Sequence, residues 1–163
     1  MANSKEKNTD FWVRDLLKEA DLDLEPQGSS VKEIAEALKT ASKRGTGNAG
    51  YPEFVGVVKD YIIVIEDKKD IEKHEKRKNE VLSLEVDAVT DYAMNGALFY
   101  AQHLAKNTAF KKIIAFGISG SEKRHKISPI YVDDTEYYRE LPEVESFISF
   151  NEENIEPGFP TKL

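Results

Sequence analysis

The sequence predicts an α/β fold, an α/β/α sandwich around a central mixed sheet, and three observations predict it. Residues 61–65 and 113–119 are short, unbroken apolar runs rich in β-branched side chains, the pattern of strands buried on both faces. Between them lies the clearest helical period of the chain, residues 87–105, where Ala88, Tyr92, Ala93, Ala97, Phe99, Tyr100, Ala101 and Leu104 keep helical spacing. Just before the first run, residues 53–58 read as a partner strand, with Lys59-Asp60 as a tight turn into a strand over 61–67. An antiparallel hairpin followed by a helical crossover to another buried strand gives a mixed sheet covered by helices on both faces.

The remaining elements follow in order. Asp10 is placed to cap a first helix running to about Ala20, with Phe11, Val13, Leu16, Leu17 and Ala20 as its apolar positions. Pro26-Gln27-Gly28-Ser29-Ser30 reads as a loop. Ser30 is placed to cap a second helix carrying Val31, Ile34, Ala35, Leu38 and Ala41, with Glu33 closing a capping box. Gly45, Gly47 and Gly50 break that helix and give a flexible entry to the hairpin. Residues 68–80 are almost wholly charged and carry no apolar stripe, so they read as a mobile loop. Beyond the strand over 113–119, closed by Gly120, residues 127–132 read as a strand, 136–141 as a short helical turn and 146–150 as an edge strand.

With 163 residues, 40% of them apolar, the chain is about the length of one domain with one sizeable core. No stretch approaches the roughly 20 apolar residues of a membrane helix, and the first ten residues lack the apolar segment of a secretory signal. These features predict a soluble, cytoplasmic protein. The absence of cysteine excludes disulfides, thiolate metal sites and cysteine nucleophiles, which leaves oxygen ligands and hard cations for any metal. A net charge of −7 argues at first against a nucleic-acid partner, but the charge is uneven. Residues 132–157 carry −8 and the rest of the chain +1. Lysines and arginines cluster before the hairpin, after it and again near Arg124, which leaves room for a basic groove.

The chemistry gathers at the hairpin. Glu53 starts one strand and Glu66 lies near the end of the next, with twelve residues between them, so a turn at Lys59-Asp60 brings the two carboxylates level. Glu66 and Lys68 share a strand face while Asp67 points to the other, away from the expected metal. Two converging carboxylates suit Mg²⁺, which would polarise a phosphate and supply hydroxide near neutral pH. Lys68 would hold the charge that builds on phosphorus. His74, His103 and His125 lack metal-ligand spacing and read as surface residues, His74 lying near enough to the motif to touch DNA.

At these residues the chain resembles the PD-(D/E)XK nuclease superfamily. Pro52-Glu53 stands for the first acidic motif, with Glu in place of the usual Asp, and Glu66-Asp67-Lys68 stands for the (D/E)XK tripeptide. The flanking stretches, Ala41-Ser42-Lys43-Arg44-Gly45-Thr46-Gly47-Asn48-Ala49-Gly50-Tyr51-Pro52-Glu53-Phe54 and Tyr92-Ala93-Met94-Asn95-Gly96-Ala97-Leu98-Phe99-Tyr100-Ala101, resemble the N-terminal nuclease domain of type I-like and type IIG restriction-modification enzymes. The resemblance covers residues 39–120, half the chain.

It implies a restriction-endonuclease-like fold and a bacterial, Mg²⁺-dependent endodeoxyribonuclease, able to use Mn²⁺, with Glu53 and Glu66 as metal ligands and Lys68 completing the catalytic set. Superfamily members often add an acidic residue from the first helix and a Gln or Tyr from the helix after the lysine, which points to Glu19 and to Tyr100 and Gln102. Lys43, Arg44, Lys69 and His74 are the candidate DNA contacts. Helicase or methyltransferase domains accompany such a domain in longer relatives. Neither a Walker phosphate loop nor an Asn-Pro-Pro-Tyr motif occurs here, so residues 1–163 are expected to be one nuclease domain excised from a larger protein, ending at Phe-Pro-Thr-Lys-Leu. Cleavage of both strands would call for a transient dimer. The rival expectations are a non-catalytic DNA-binding or assembly module of the same fold, and a nuclease acting in repair or on RNA.

Overall fold

β-Branched residues dominate the two apolar runs, and these runs form the paired central strands of the sheet. The structure is a computed structural model that describes residues 4–135 and 137–155, with side chains from Thr9 onward. In chain order the elements are helix α1 (Ser4–Glu19), strand β1 (Glu25–Pro26), helix α2 (Lys32–Leu38), strands β2 (Phe54–Val58) and β3 (Tyr61–Lys68), and a short hairpin of β4 (Arg77–Lys78) and β5 (Val81–Leu82). Helices α3 (Val86–Asp91) and α4 (Ala93–Asn107) then lead to strands β6 (Lys112–Gly120), β7 (His125–Val132) and β8 (Tyr138–Glu140).

The six-stranded mixed sheet runs β1-β2-β3-β6-β7-β8. β2 and β3 pair antiparallel with Phe54 opposite Ile65, and Lys59, at φ 53°, makes the tight turn. β3 and β6 are parallel, joined through α3 and α4, with Asp67 level with Ile118. Period-2 alternation divides the core. Tyr61, Ile63, Ile65, Ile114, Phe116 and Ile118 pack with Val13, Leu16 and Leu17 of α1 and with Phe147 and Phe150. Ile62, Val64, Ile113 and Ala115 pack on the opposite face with α2 and α4. The predicted α/β/α sandwich is the observed one. Among the described residues, no helix is long and apolar enough to cross a membrane.

Several local expectations are corrected. α1 begins before Asp10, which lies within the helix and caps nothing. Its end is fixed by Asp21, at φ 55°, whose N–H and that of Leu22 bond back to Lys18 and Leu17. Pro26, expected in a loop, joins Glu25 in an edge strand beside β2. The N-cap of α2 is Val31, one residue after the expected Ser30, and valine has no side-chain acceptor to offer; Glu33, expected in a capping box, accepts instead from the Ala109 N–H at 2.6 Å.

Residues 68–80 are not a mobile loop. They contain a 3-10 turn over Ile71–Lys73 and are pinned by buried His74, whose two ring nitrogens lie 2.7 Å from the Ser119 and Ser128 hydroxyls. The long helix is broken at Tyr92, which is extended, so that the Met94 N–H bonds the His74 carbonyl at 2.8 Å. Residues 138–140 are an edge strand where a helical turn was expected, and the Tyr138 hydroxyl accepts from the Leu82 N–H. Glu136 itself lies outside the described residues. The expected edge strand over 146–150 is a loop with a 3-10 turn over Ile148–Phe150, because Phe147 and Phe150 both turn inward onto Phe116. The Phe-Pro-Thr-Lys-Leu end lies outside the described residues.

Candidate metal centre

Strand register creates the site. The pairing of Phe54 with Ile65 places Glu53 across from Glu66 at the open end of the hairpin, and the Glu53 N–H donates to Glu66 Oε1 at 3.2 Å. Gln27, at φ 58° after β1, holds Glu53 from the other side: its N–H donates to the Glu53 carbonyl and its Nε2 to Glu53 Oε2 at 3.0 Å.

Alternation then sends Glu66 and Asp67 to opposite faces. Asp67 extends the row Tyr61, Ile63, Ile65 toward α1, where it meets Asp10. Asp10, Glu53 and Asp67 each offer one carboxylate oxygen to a group whose members all lie within 4.8 Å of one another. Two further observations point to a cation. Among the described residues no donor group meets the buried oxygens Asp10 Oδ1 and Asp67 Oδ2, so only a proton shared between the two carboxyls or a cation can satisfy them, a costly state for carboxylates. The proton affinities agree. Burial, followed by the charges of Glu66 and Asp10, pushes Glu53 up to about 7. Burial also drives Asp67 far above the carboxylate range, with a hydrogen bond to Asp10 and the charges of Asp10, Glu53 and Glu66 adding to it. Glu53 and Asp67 thus hold protons more tightly than ordinary carboxyl groups, and the three oxygen donors are of the kind that fits Mg²⁺, Mn²⁺ or Ca²⁺.

Glu66, expected as the second ligand, sits in different company. Its carboxylate is 4% exposed, takes the Lys43 ammonium at 2.7 Å and faces Gly96 and Tyr100 of α4. Lys43 lies 5.0 Å over the Tyr100 ring, and burial followed by the Glu66 charge raises that phenol. Lys43 is therefore engaged inside the protein. Lys68 shares the Glu66 side of β3 and donates to the Thr90 carbonyl at 3.0 Å, while its charge still lowers the proton affinity of Glu53.

Other expected residues lie elsewhere. Glu19 is exposed at the last position of α1, roughly 13 Å along the axis from Asp10 at 1.5 Å per residue. His74, expected at the surface, is 3% exposed, and burial lowers it to about 4, so it serves as a neutral structural clasp. Gln102 is half-buried on α4, and Arg44 and Lys69 are exposed. Asp10 and Asp67 are the residues that sequence reasoning missed. A signal was present for Asp10, since it shares the helical stripe of Val13 and Leu17 (i, i+3, i+7), where an acidic residue needs a reason.

Over 159 residues, 96% of its length, this chain is 38% identical to the type II restriction enzyme and methyltransferase RM.BcgI of Heyndrickxia coagulans. The match covers 25% of that protein, so the chain spans about a quarter of the length of the curated relative. No family model matches the chain, and no solved structure matches it.

Proposed function

We propose that this chain is the metal-dependent DNA-cleaving domain of a restriction-modification protein, hydrolysing phosphodiester bonds, with methyltransferase or helicase domains as its partners in a longer chain. The observation that carries the proposal is the group of Asp10, Glu53 and Asp67, with two buried oxygens that no donor among the described residues reaches, built on the hairpin that bears Glu53, Glu66 and Lys68. Similarity to a restriction enzyme over nearly the whole chain supports it.

Asp10, Glu53 and Asp67 would hold Mg²⁺. Bound there, the ion supplies charge stabilisation at a phosphate oxygen and a nucleophile from water near neutral pH. The chain's own residues do the rest. Gln27 and Glu66 fix Glu53 through its side chain and its backbone amide, so the ligand oxygen is held before the cation arrives. Lys68 brings positive charge beside Glu53 and, on release from the Thr90 carbonyl, can reach a phosphate oxygen as negative charge builds there. Lys43 neutralises Glu66, which keeps a fourth acidic charge from adding to the repulsion at the centre.

The test is nicking of supercoiled plasmid in Mg²⁺ or Mn²⁺ by the wild type, Glu53→Gln and Lys68→Ala. The expected result is nicking that chelator and either substitution abolish. Nicking that survives both substitutions would overturn the assignment.

A further inference from the structure

Beyond the acidic group, the same end of the sheet carries two adjoining cavities that share Lys69 and Asp70. One, of about 370 Å³, is lined by Lys69, Asp70, Ile71, Gly120, Ser121 and Arg124. The other, of about 360 Å³, adds Lys68, Lys73 and Asp91. Their walls are set by the fold. β3 and β6 run parallel to the pair Lys68–Ser119, so Lys69 and Gly120 emerge side by side where the strands stop. Gly120, at φ 97°, turns the chain sharply, and the Ser121 N–H closes that turn on the Arg124 carbonyl at 2.8 Å. A Cβ at Gly120 would strike the Arg124 backbone, so the turn has no room for another residue. The Thr9 hydroxyl donates to the Gly120 carbonyl at 2.9 Å, which ties this wall to the residue before Asp10 and so to the acidic centre.

The charge of these cavities is not used up among the described residues. Lys69 and Arg124 are exposed and make no ion pair among the described residues. Lys73 reaches over the Tyr92 ring. Asp70 caps the Glu72 N–H at 2.9 Å, and with exposed Asp91 it offsets only part of the charge of Lys68, Lys69, Lys73 and Arg124, so the lining stays net positive. Unpaired cations around an open cleft beside an acidic metal centre, in a chain of net charge −7, mark a place where polyanion affinity is concentrated.

We infer that these cavities seat consecutive backbone phosphates of duplex DNA, with Lys69 and Arg124 as the contacting cations, and deliver the strand to the acidic centre from the side of the 69–73 turn. The inference rests on the nuclease reading for what happens next, but binding tests it alone. The probe is a 30-bp duplex titrated in chelator over a salt series. The Lys69→Ala/Arg124→Ala variant should bind at least tenfold more weakly at low salt. Its slope of log affinity against log salt should fall by about two contacts, at roughly 0.9 each. Lys111→Ala, at the opposite end of the sheet, should change neither. Unchanged affinity and slope in the double variant would overturn the cleft, as would a wild type that fails to bind duplex. Plasmid nicking in Mg²⁺ separates the two claims. Wild-type nicking with no binding defect in the double variant sinks the cleft alone, whereas a salt-dependent defect without nicking in any metal sinks the nuclease reading and leaves the cleft standing.

Discussion

The two faces of β3 handle acidic residues in opposite ways, although Glu66 and Asp67 are neighbours in the chain. On the α4 face, Glu66 is buried with its charge matched by Lys43 at 2.7 Å and a backbone N–H on its other oxygen. On the α1 face, Asp67 is buried against Asp10 and Glu53 with no cation and with one oxygen unpartnered. The first arrangement is complete within the chain, because each polar atom has a partner. The second is incomplete, and only a proton or a metal ion completes it. Under the proposed function, it is the carboxylate lacking a cation that marks the site.

The comparison is broken most forcefully by exchanging charge for amide on each face in turn. Asp67→Asn should lower Mg²⁺-dependent nicking by roughly a thousandfold, several kcal/mol of lost charge stabilisation, and should remove the rise in Tm that Mg²⁺ produces. Glu66→Gln should retain that rise, because the three ligand oxygens remain. Equal loss of the metal-induced Tm rise in both variants would show that Glu66 also ligates the ion.

Next in size is the cost of emptying the matched face. Lys43→Ala leaves Glu66 buried without its cation, and breaking such a pair costs about 3 kcal/mol. Urea unfolding in chelator should show a loss of that order. Lys43→Met combined with Glu66→Leu should recover most of it, since neither charge is then left alone. A Lys43→Ala midpoint equal to the wild type would mean that Glu66 relaxes toward the acidic centre, and the contrast between the faces would collapse.

How much of this was legible in the sequence differs between the two faces. The sheet itself was legible because 61–65 and 113–118 carry no polar side chain apart from the Tyr61 hydroxyl, and the hairpin register because Lys59-Asp60 falls midway between Glu53 and Glu66. Alternation correctly separated Glu66 from Asp67. The choice of face was not available, since it depends on what packs there: Asp10 in place of a cap residue, and Lys43 reaching back from a glycine-rich loop. Residues 68–80 misled because their anchors are one histidine and backbone bonds to distant segments, neither of which leaves a periodic trace. The break at Tyr92 was hidden for the same reason, since the Met94 N–H is taken by His74 and no proline or glycine announces it.

The α1 face also sets a pH dependence. Glu53 and Asp67 both bind protons more tightly folded than unfolded, so in the metal-free protein they favour the fold at low pH. That contribution is fully present below about 4, is lost for Glu53 as pH rises through about 7, and continues to fall above that for Asp67. Glu53→Gln removes one of these groups. Its stability relative to wild type should therefore rise between pH 5 and pH 8 in chelator, read as the difference in urea midpoints. Mg²⁺ should reverse the trend and stabilise the wild type more at pH 8 than at pH 5, because the ligands must shed their protons. A midpoint difference that stays flat across this range would mean that neither burial nor its acidic neighbours raise the proton affinity of Glu53.

The smallest effect tests whether the faces are independent. Gly96 of α4 lies against the matched pair: an added Cβ would sit 3.1 Å from Glu66 Oε2, 3.2 Å from Lys43 Nζ and 2.9 Å from the Val89 carbonyl. Alanine gains about 1 kcal/mol over glycine inside a helix. Crowding the pair and the α3 carbonyl costs more than that, since overpacking typically takes 1–3 kcal/mol. Gly96→Ala should therefore lose about 1 kcal/mol net while its Mg²⁺-induced Tm rise stays at the wild-type value. A shift in that rise would mean that displacing Glu66 moves Glu53, through the hydrogen bond that the Glu53 N–H donates to Glu66, and that the matched face sets the position of the ligand on the unmatched one.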